Sequence, residues 1–154
     1  MVRPLHPTMF HRIVQFYFGK KKQLEKIIEE VKELEDAVDS GDREEIIKEL
    51  ADVETVLPYL KLSFLYDSNL KIERMHDKPD FKFFSLLVYV LLREKFYTED
   101  SILLKKITAI AVTGYCNALY GLYLEYDIDP KEVDAVIDYK KRRTMKRIIG
   151  GYYK

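Results

Sequence analysis

Ile27-Ile28-Glu29-Glu30-Val31-Lys32-Glu33-Leu34 and, nineteen residues further on, Ile46-Ile47-Lys48-Glu49-Leu50-Ala51-Asp52-Val53 decide how this chain folds. In each, an apolar pair leads to a carboxylate, an apolar residue and a second carboxylate three positions after the first. Residues i and i+3 share one face of an α-helix, about a turn apart. Each segment therefore projects a pair of acids sideways from an apolar stripe. On a helical wheel both pairs fall on the same flank of their stripes. If the stripes pack together, the flanks border one cleft in which Glu30, Glu33, Glu49 and Asp52 converge. Four carboxylates that close repel one another, and some must hold a proton unless a cation intervenes. All-oxygen ligands suit hard cations, so Mg²⁺, or Mn²⁺ in its place, is the expected partner.

The surrounding punctuation supports a helical hairpin. Ile27, Val31, Leu34 and Val38 recur at helical spacing, and Gly41 is placed to end that helix. Asp42 reads as the next N-cap, with Glu45 completing a capping box. Ile46, Leu50, Val53, Leu57 and Leu60 form the second stripe, and Pro58 calls for a kink or an end near Leu57. Residues 66–80 are the least regular, with a turn at His76-Asp77-Lys78-Pro79-Asp80. Phe81 to Phe96 is apolar on most sides, as a buried helix is. Thr98 to Ser101 reads as a cap for a helix carrying Ala111, Gly114, Ala118 and Gly121, a row of small residues suited to close helix packing in the core or between subunits, or else to leaving a gap for a ligand. Asp129-Pro130-Lys131-Glu132 caps a last helix running from Pro130 to about Ile148. No alternating strand pattern of useful length emerges. The expected fold is all-α, a bundle of about five to six helices in one domain over residues 1–154, with an extra helical region at about 66–124 after the second acidic motif.

Composition narrows the function. Twenty-six basic and twenty-six acidic residues cancel, so no whole-protein field points to nucleic acid or an anionic membrane. The single cysteine, Cys116, reads as a small buried residue in a reducing, cytoplasmic setting. Residues 1–11 carry no long apolar core after the basic residue, so no signal peptide is expected. Ile107 to Leu124 is the one membrane suspect, but its threonines and asparagine and its marginal length favour a buried core helix. His6, His11 and His76 fall outside both acidic motifs and receive no catalytic role. An apolar share of 47%, with helices apolar on more than one side, predicts a homodimer or homotetramer.

Glu29-Glu30-Val31-Lys32-Glu33 followed by Glu49-Leu50-Ala51-Asp52 resembles the signature of the all-α nucleoside triphosphate pyrophosphohydrolases. That superfamily contains the MazG-like proteins, the dimeric dUTPases and the phage dCTPases. The resemblance covers about residues 20–62 well and 125–152 more weakly. It implies a MazG-like bundle, Glu30, Glu33, Glu49 and Asp52 as metal ligands, and cleavage of a nucleoside triphosphate at the α-phosphate to a monophosphate and pyrophosphate. Glu29, Glu30 and Glu33 are the candidates to orient or deprotonate the attacking water, with no choice among them. The dimeric dUTPases and dCTPases tend to end in Lys-Asn-x-x-Asn-x-x-Arg-Gln-x-x-Gly-Tyr. Lys140, Arg147, Gly151 and Tyr152 agree with that pattern, whereas Lys141 and Thr144 stand in place of the asparagines and Ile148 in place of the glutamine. The spacing survives and the amides do not, which leaves base and sugar preference open.

A triphosphate also needs cationic partners. Lys140-Lys141-Arg142-Arg143-Thr144-Met145-Lys146-Arg147 carries six bases in eight residues. Lys140, Arg143 and Arg147 share one helical face and are the expected phosphate contacts, with Thr144 and Tyr152 beside them. Gln23, two turns before Glu30, is placed to read a base edge. The competing expectation is a non-catalytic helical module that binds a nucleotide or a protein partner.

Overall fold

The computed structural model describes residues 6–63, 79–97 and 101–151. They form α1 (Met9–Phe18), α2 (Lys20–Ser40), α3 (Arg43–Val56), the short α4 (Pro58–Ser63), α5 (Phe81–Tyr97), α6 (Ile102–Glu125) and α7 (Pro130–Ile149), with no strand among the described residues. The chain is all-α.

The α2–α3 hairpin forms for the reasons its sequence gives. Ile27, Val31 and Leu34 of α2 and Ile46, Leu50 and Val53 of α3 have no exposed surface at all. Each such burial contributes about 1.5–3 kcal/mol relative to an exposed side chain. Gly41 closes α2 in the left-handed region at φ 72°, where a side chain would be strained. Asp42 caps α3 by accepting from the N–H groups of Glu44 and Glu45. The reciprocal half of the expected capping box is replaced, because the Asp42 N–H donates to Ser40 Oγ at 3.3 Å. Pro58 lacks the N–H that would bond the Glu54 carbonyl, so α3 stops at Val56 and α4 restarts at the proline.

The remaining helices pack around this hairpin. Helix α5 lies against α2 and α6, α7 lies against α3, and α1 closes over α2 and α4. Arg43, at the start of α3, donates to the carbonyls of Tyr126 (3.1 Å) and Asp127 (2.9 Å) and to Glu132 Oε2 (2.8 Å). It thereby pins the turn into α7, and with it the direction of that helix. Asp129 and Glu132 form the expected capping box there.

Helix α6 is long and apolar enough to cross a membrane, but 61% of its most apolar window is buried within the bundle, as in a core helix. Of the small-residue row, Ala111, Gly114 and Ala118 are buried, and a Cβ on Gly114 would overlap the Phe84 ring. That part of the row serves packing within the chain. The helix expected over Phe81 to Phe96 forms, but it is not buried on all of its apolar sides. Ser85, Val88 and Leu92 are buried, whereas Phe83, Leu86 and Val90 are more than half exposed. Among the described residues, α5 packs chiefly against α2 and α6, which leaves that face uncovered. The turn expected at residues 76–80 and the cap expected at Thr98 lie largely outside the described residues. Ser101 is the N-cap of α6, accepting from Leu104 N–H at 3.0 Å.

Candidate active site

Packing the two apolar stripes carries the acids to the seam between α2 and α3. Glu30 is 3% exposed and Glu49 6% exposed, Asp52 is half-buried, and Glu29 and Glu33 stand at the exposed edge. Ligand oxygens of Glu30, Glu49 and Asp52 lie within 4.8 Å of one another, and so do those of Glu29, Glu30 and Glu33. Glu30 belongs to both groups and is the centre of the cluster.

Burial is the main force on these carboxyls. It pushes Glu30 up to about 7, opposed by the hydrogen bond from Lys26 and reinforced by the charges of Asp52 and Glu33. It pushes Glu49 likewise up to about 7, reinforced by Asp52, Glu33 and Glu30. Close ion pairs from Lys26 and Lys140, and a looser one from Lys48 at 3.9 Å from Glu49 Oε1, relieve part of the charge. Lys26 Nζ lies 2.8 Å from Glu30 Oε1, and Lys140 reaches from α7 to Asp52 Oδ1. The second oxygens of Glu30 and Glu49 are buried with no hydrogen-bond partner. Orphaned carboxylate oxygens are costly, and two of them in a compact all-oxygen cluster form a donor set that fits a hard divalent cation.

These acids form the floor of a cleft of about 620 Å³. Its far wall is α7, which contributes Lys140, Arg143 and Thr144. Arg147, expected on the same face, is half-buried one turn beyond the cleft lining. Tyr152 lies outside the described residues. The cleft also has an apolar wall, built from Phe10, Val14 and Phe18 of α1 together with Val56 and Tyr59. Gln23 is 5% exposed and lines the cleft beside that wall.

Several cleft residues escape a reading from sequence. The wall contributed by α1 is one, because Phe10, Val14 and Phe18 acquire meaning only when α1 folds back over α2 and α4. His11 holds that arrangement. Its Nδ1 accepts from Thr8 N–H at 3.0 Å, so the proton sits on Nε2, which donates to the Thr55 carbonyl at 2.8 Å. Burial depresses its pKa to about 4, keeping the ring neutral in this role. Lys26 is another, although its i, i+4 spacing to Glu30 was a usable signal.

Residues 6–79 match the family model for phosphoribosyl-ATP pyrophosphohydrolase. The matched stretch is just under half of the chain and takes in α1 to α4, hence both acidic motifs and the apolar wall. That family belongs to the MazG-like all-α superfamily whose signature the acids resemble. No curated protein and no solved structure gives a significant match.

Proposed function

We propose that this protein is a Mg²⁺-dependent pyrophosphohydrolase that cleaves a nucleoside triphosphate, or a nucleotide built on one, to a monophosphate and pyrophosphate. The observation that carries the reading is the pair of orphaned buried oxygens on Glu30 and Glu49, set within the Glu30–Glu49–Asp52 group and facing a wall of cations. The family matched by residues 6–79 acts on phosphoribosyl-ATP by its name, which makes that nucleotide the first substrate to try beside the ordinary triphosphates.

Glu30, Glu33, Glu49 and Asp52 would hold the metal. Bound there, Mg²⁺ or Mn²⁺ supplies charge neutralisation and polarisation of the attacked phosphorus. The chain's own groups do the rest. Lys140 and Arg143 hold phosphate oxygens from the α7 side, lysine as a compact charge and arginine as a fork. Of Glu29, Glu30 and Glu33, the solvated Glu29 and Glu33 at the cleft edge would orient water toward the α-phosphorus and take its proton. The wall of Phe10, Phe18 and Tyr59 offers a base an apolar surface, and the buried Gln23 amide offers it one donor and one acceptor group.

The deciding experiment incubates the protein with each ribo- and deoxyribonucleoside triphosphate and with phosphoribosyl-ATP, in Mg²⁺ or Mn²⁺, and measures pyrophosphate. Release from at least one is expected. Folded protein that releases none from any of them removes the catalytic reading and leaves a nucleotide-binding or interaction module.

We further propose that the molecule is a homo-oligomer, a dimer or tetramer. Phe83, Leu86 and Val90 on α5 and Leu103, Ile107 and Ile110 on α6 are exposed large apolar residues on neighbouring helices, more than a monomer comfortably shows to water. Sedimentation of the wild type should give a multiple of 18.3 kDa, and Ile110→Lys should reduce it. A wild type that sediments as a monomer at all concentrations rejects this.

A further inference from the structure

Lys26 of α2 and Lys140 of α7 each pair closely with one member of the Glu30–Glu49–Asp52 group, and Lys48 stands further off, 3.9 Å from Glu49. Lys26 sits one turn before Glu30 on α2 and places Nζ 2.8 Å from Oε1, with a side chain 48% exposed and therefore free to swing outward. Lys140 crosses from α7 to Asp52 Oδ1 with a side chain 21% exposed. Neither ammonium reaches the inner oxygens of Glu30 and Glu49, which stay unpartnered. The pairs therefore neutralise the cluster from its rim and leave its interior open.

We propose that Lys26 and Lys140 are resident counter-ions of the acid cluster, displaced by divalent metal and received by the phosphates of the nucleotide. This rests on the pyrophosphohydrolase reading and adds an exchange step to it. A cation about 2.0–2.1 Å from a carboxylate oxygen and an ammonium held on the same carboxyl group are like charges at close quarters, and each weakens the other's hold. A lysine released by metal has a flexible four-carbon stem and remains beside the cleft. Both lysines line the cavity that would hold the polyphosphate, as do Lys22, Lys48 and Arg143, while Glu25, Glu29 and Glu33 keep its edge acidic. Metal without nucleotide must break the Lys26–Glu30 and Lys140–Asp52 pairs, leaving Lys140 to water and Lys26 to its longer contact with the exposed Glu29 at 3.5 Å. With a nucleotide present, those groups gain new partners. Metal and nucleotide should then each raise the affinity for the other, as linkage requires.

The test is calorimetric titration of Mn²⁺ into wild type, Lys140→Met and Lys26→Met, alone and with a nucleoside triphosphate whose α,β-bridge is methylene and cannot be cleaved. Helical content measured by circular dichroism confirms folding. Lys26 is on an exposed surface turn, so Lys26→Met carries the test if Lys140→Met fails to fold. The expected result is Mn²⁺ binding roughly three- to tenfold tighter in each variant than in wild type without nucleotide. The enhancement of Mn²⁺ binding by the methylene analogue should shrink by a similar factor. If wild type binds Mn²⁺ and the folded variants bind it equally or more weakly, the lysines are merely structural and the exchange is wrong, with the pyrophosphohydrolase reading intact. If wild type binds no Mn²⁺ with or without the analogue, both fall together.

Discussion

The two long hairpins of this molecule, α2–α3 and α5–α6, are built on opposite principles. In α2–α3 the apolar residues form one clean stripe per helix and disappear completely at the seam, while acids flank it. Two of those acids are then buried without enough partners, which a hairpin selected for stability alone would avoid. In α5–α6 the buried polar groups are neutral, and two of them bond back to their own helix. Thr108 donates to the Leu104 carbonyl at 2.7 Å and Asn117 to that of Thr113 at 2.9 Å. Its excess is apolar, and it shows on the outside at Phe83, Leu86 and Val90. The first hairpin concentrates charge that a ligand must satisfy; the second concentrates surface that another polypeptide would cover.

Removing acids is the strongest way to probe the first hairpin. Glu49→Gln and Asp52→Asn should each lower pyrophosphate release at least about a thousandfold, equivalent to about 4 kcal/mol of barrier. The fold should survive, since negative charge is being removed from a crowded site. Near-normal turnover in both variants would show that the cluster is not the reaction centre.

The next largest effect is on the pH dependence of stability without metal. Glu30 and Glu49 have folded pKa values of about 7, above the ordinary 4.5. The folded protein therefore binds more protons than the unfolded chain between these values, and stability declines as pH rises from about 4.5 to 7. Each group can contribute up to about 3 kcal/mol to that loss, at 1.36 kcal/mol per pKa unit. Solvent screening reduces the figure for both groups, and more for Glu49 than for Glu30. Chemical denaturation of metal-free protein across this range should show the decline, and Glu49→Gln should flatten it and raise stability at pH 7 by about 1–2 kcal/mol. Stability rising steadily over the same interval would contradict the burial of uncompensated acids.

The contrast between hairpins also marks how far sequence alone reaches. The acid pairs were legible because i, i+3 spacing beside an apolar stripe has one geometric meaning, and the same holds for the caps at Asp42 and Asp129 and the break at Pro58. These are local rules, complete within a few residues. What stayed hidden depends on which helix covers which. Phe10, Val14 and Phe18 gave no sign of forming a cleft wall, because that requires α1 to fold back across α2 and α4. The composition of α5 announced burial, yet Phe83, Leu86 and Val90 are exposed, since apolarity does not say whether the covering surface belongs to the same chain. Arg147 followed the face of Lys140 and Arg143 by periodicity, but the cleft ends before the helix does.

Tyr115 gives the smallest effect and a direct test of the contrast. Its side chain is fully buried in α6, its ring is stacked near Phe81 with centroids 6.1 Å apart, and its hydroxyl has no hydrogen-bond partner. It is the α5–α6 counterpart of the orphaned oxygens on Glu30 and Glu49, but it lies away from the acid cleft and is not among that cleft's lining residues. Tyr115→Phe keeps the ring and removes a desolvated hydroxyl, so it should stabilise the protein by about 1 kcal/mol. Pyrophosphate release should not change. Glu49→Gln should also stabilise the metal-free protein, but at the expense of turnover. If Tyr115→Phe instead destabilises the fold, the hydroxyl has a bridging water. If it lowers turnover without loss of stability, the two hairpins are coupled and their division of labour is less complete than their packing indicates.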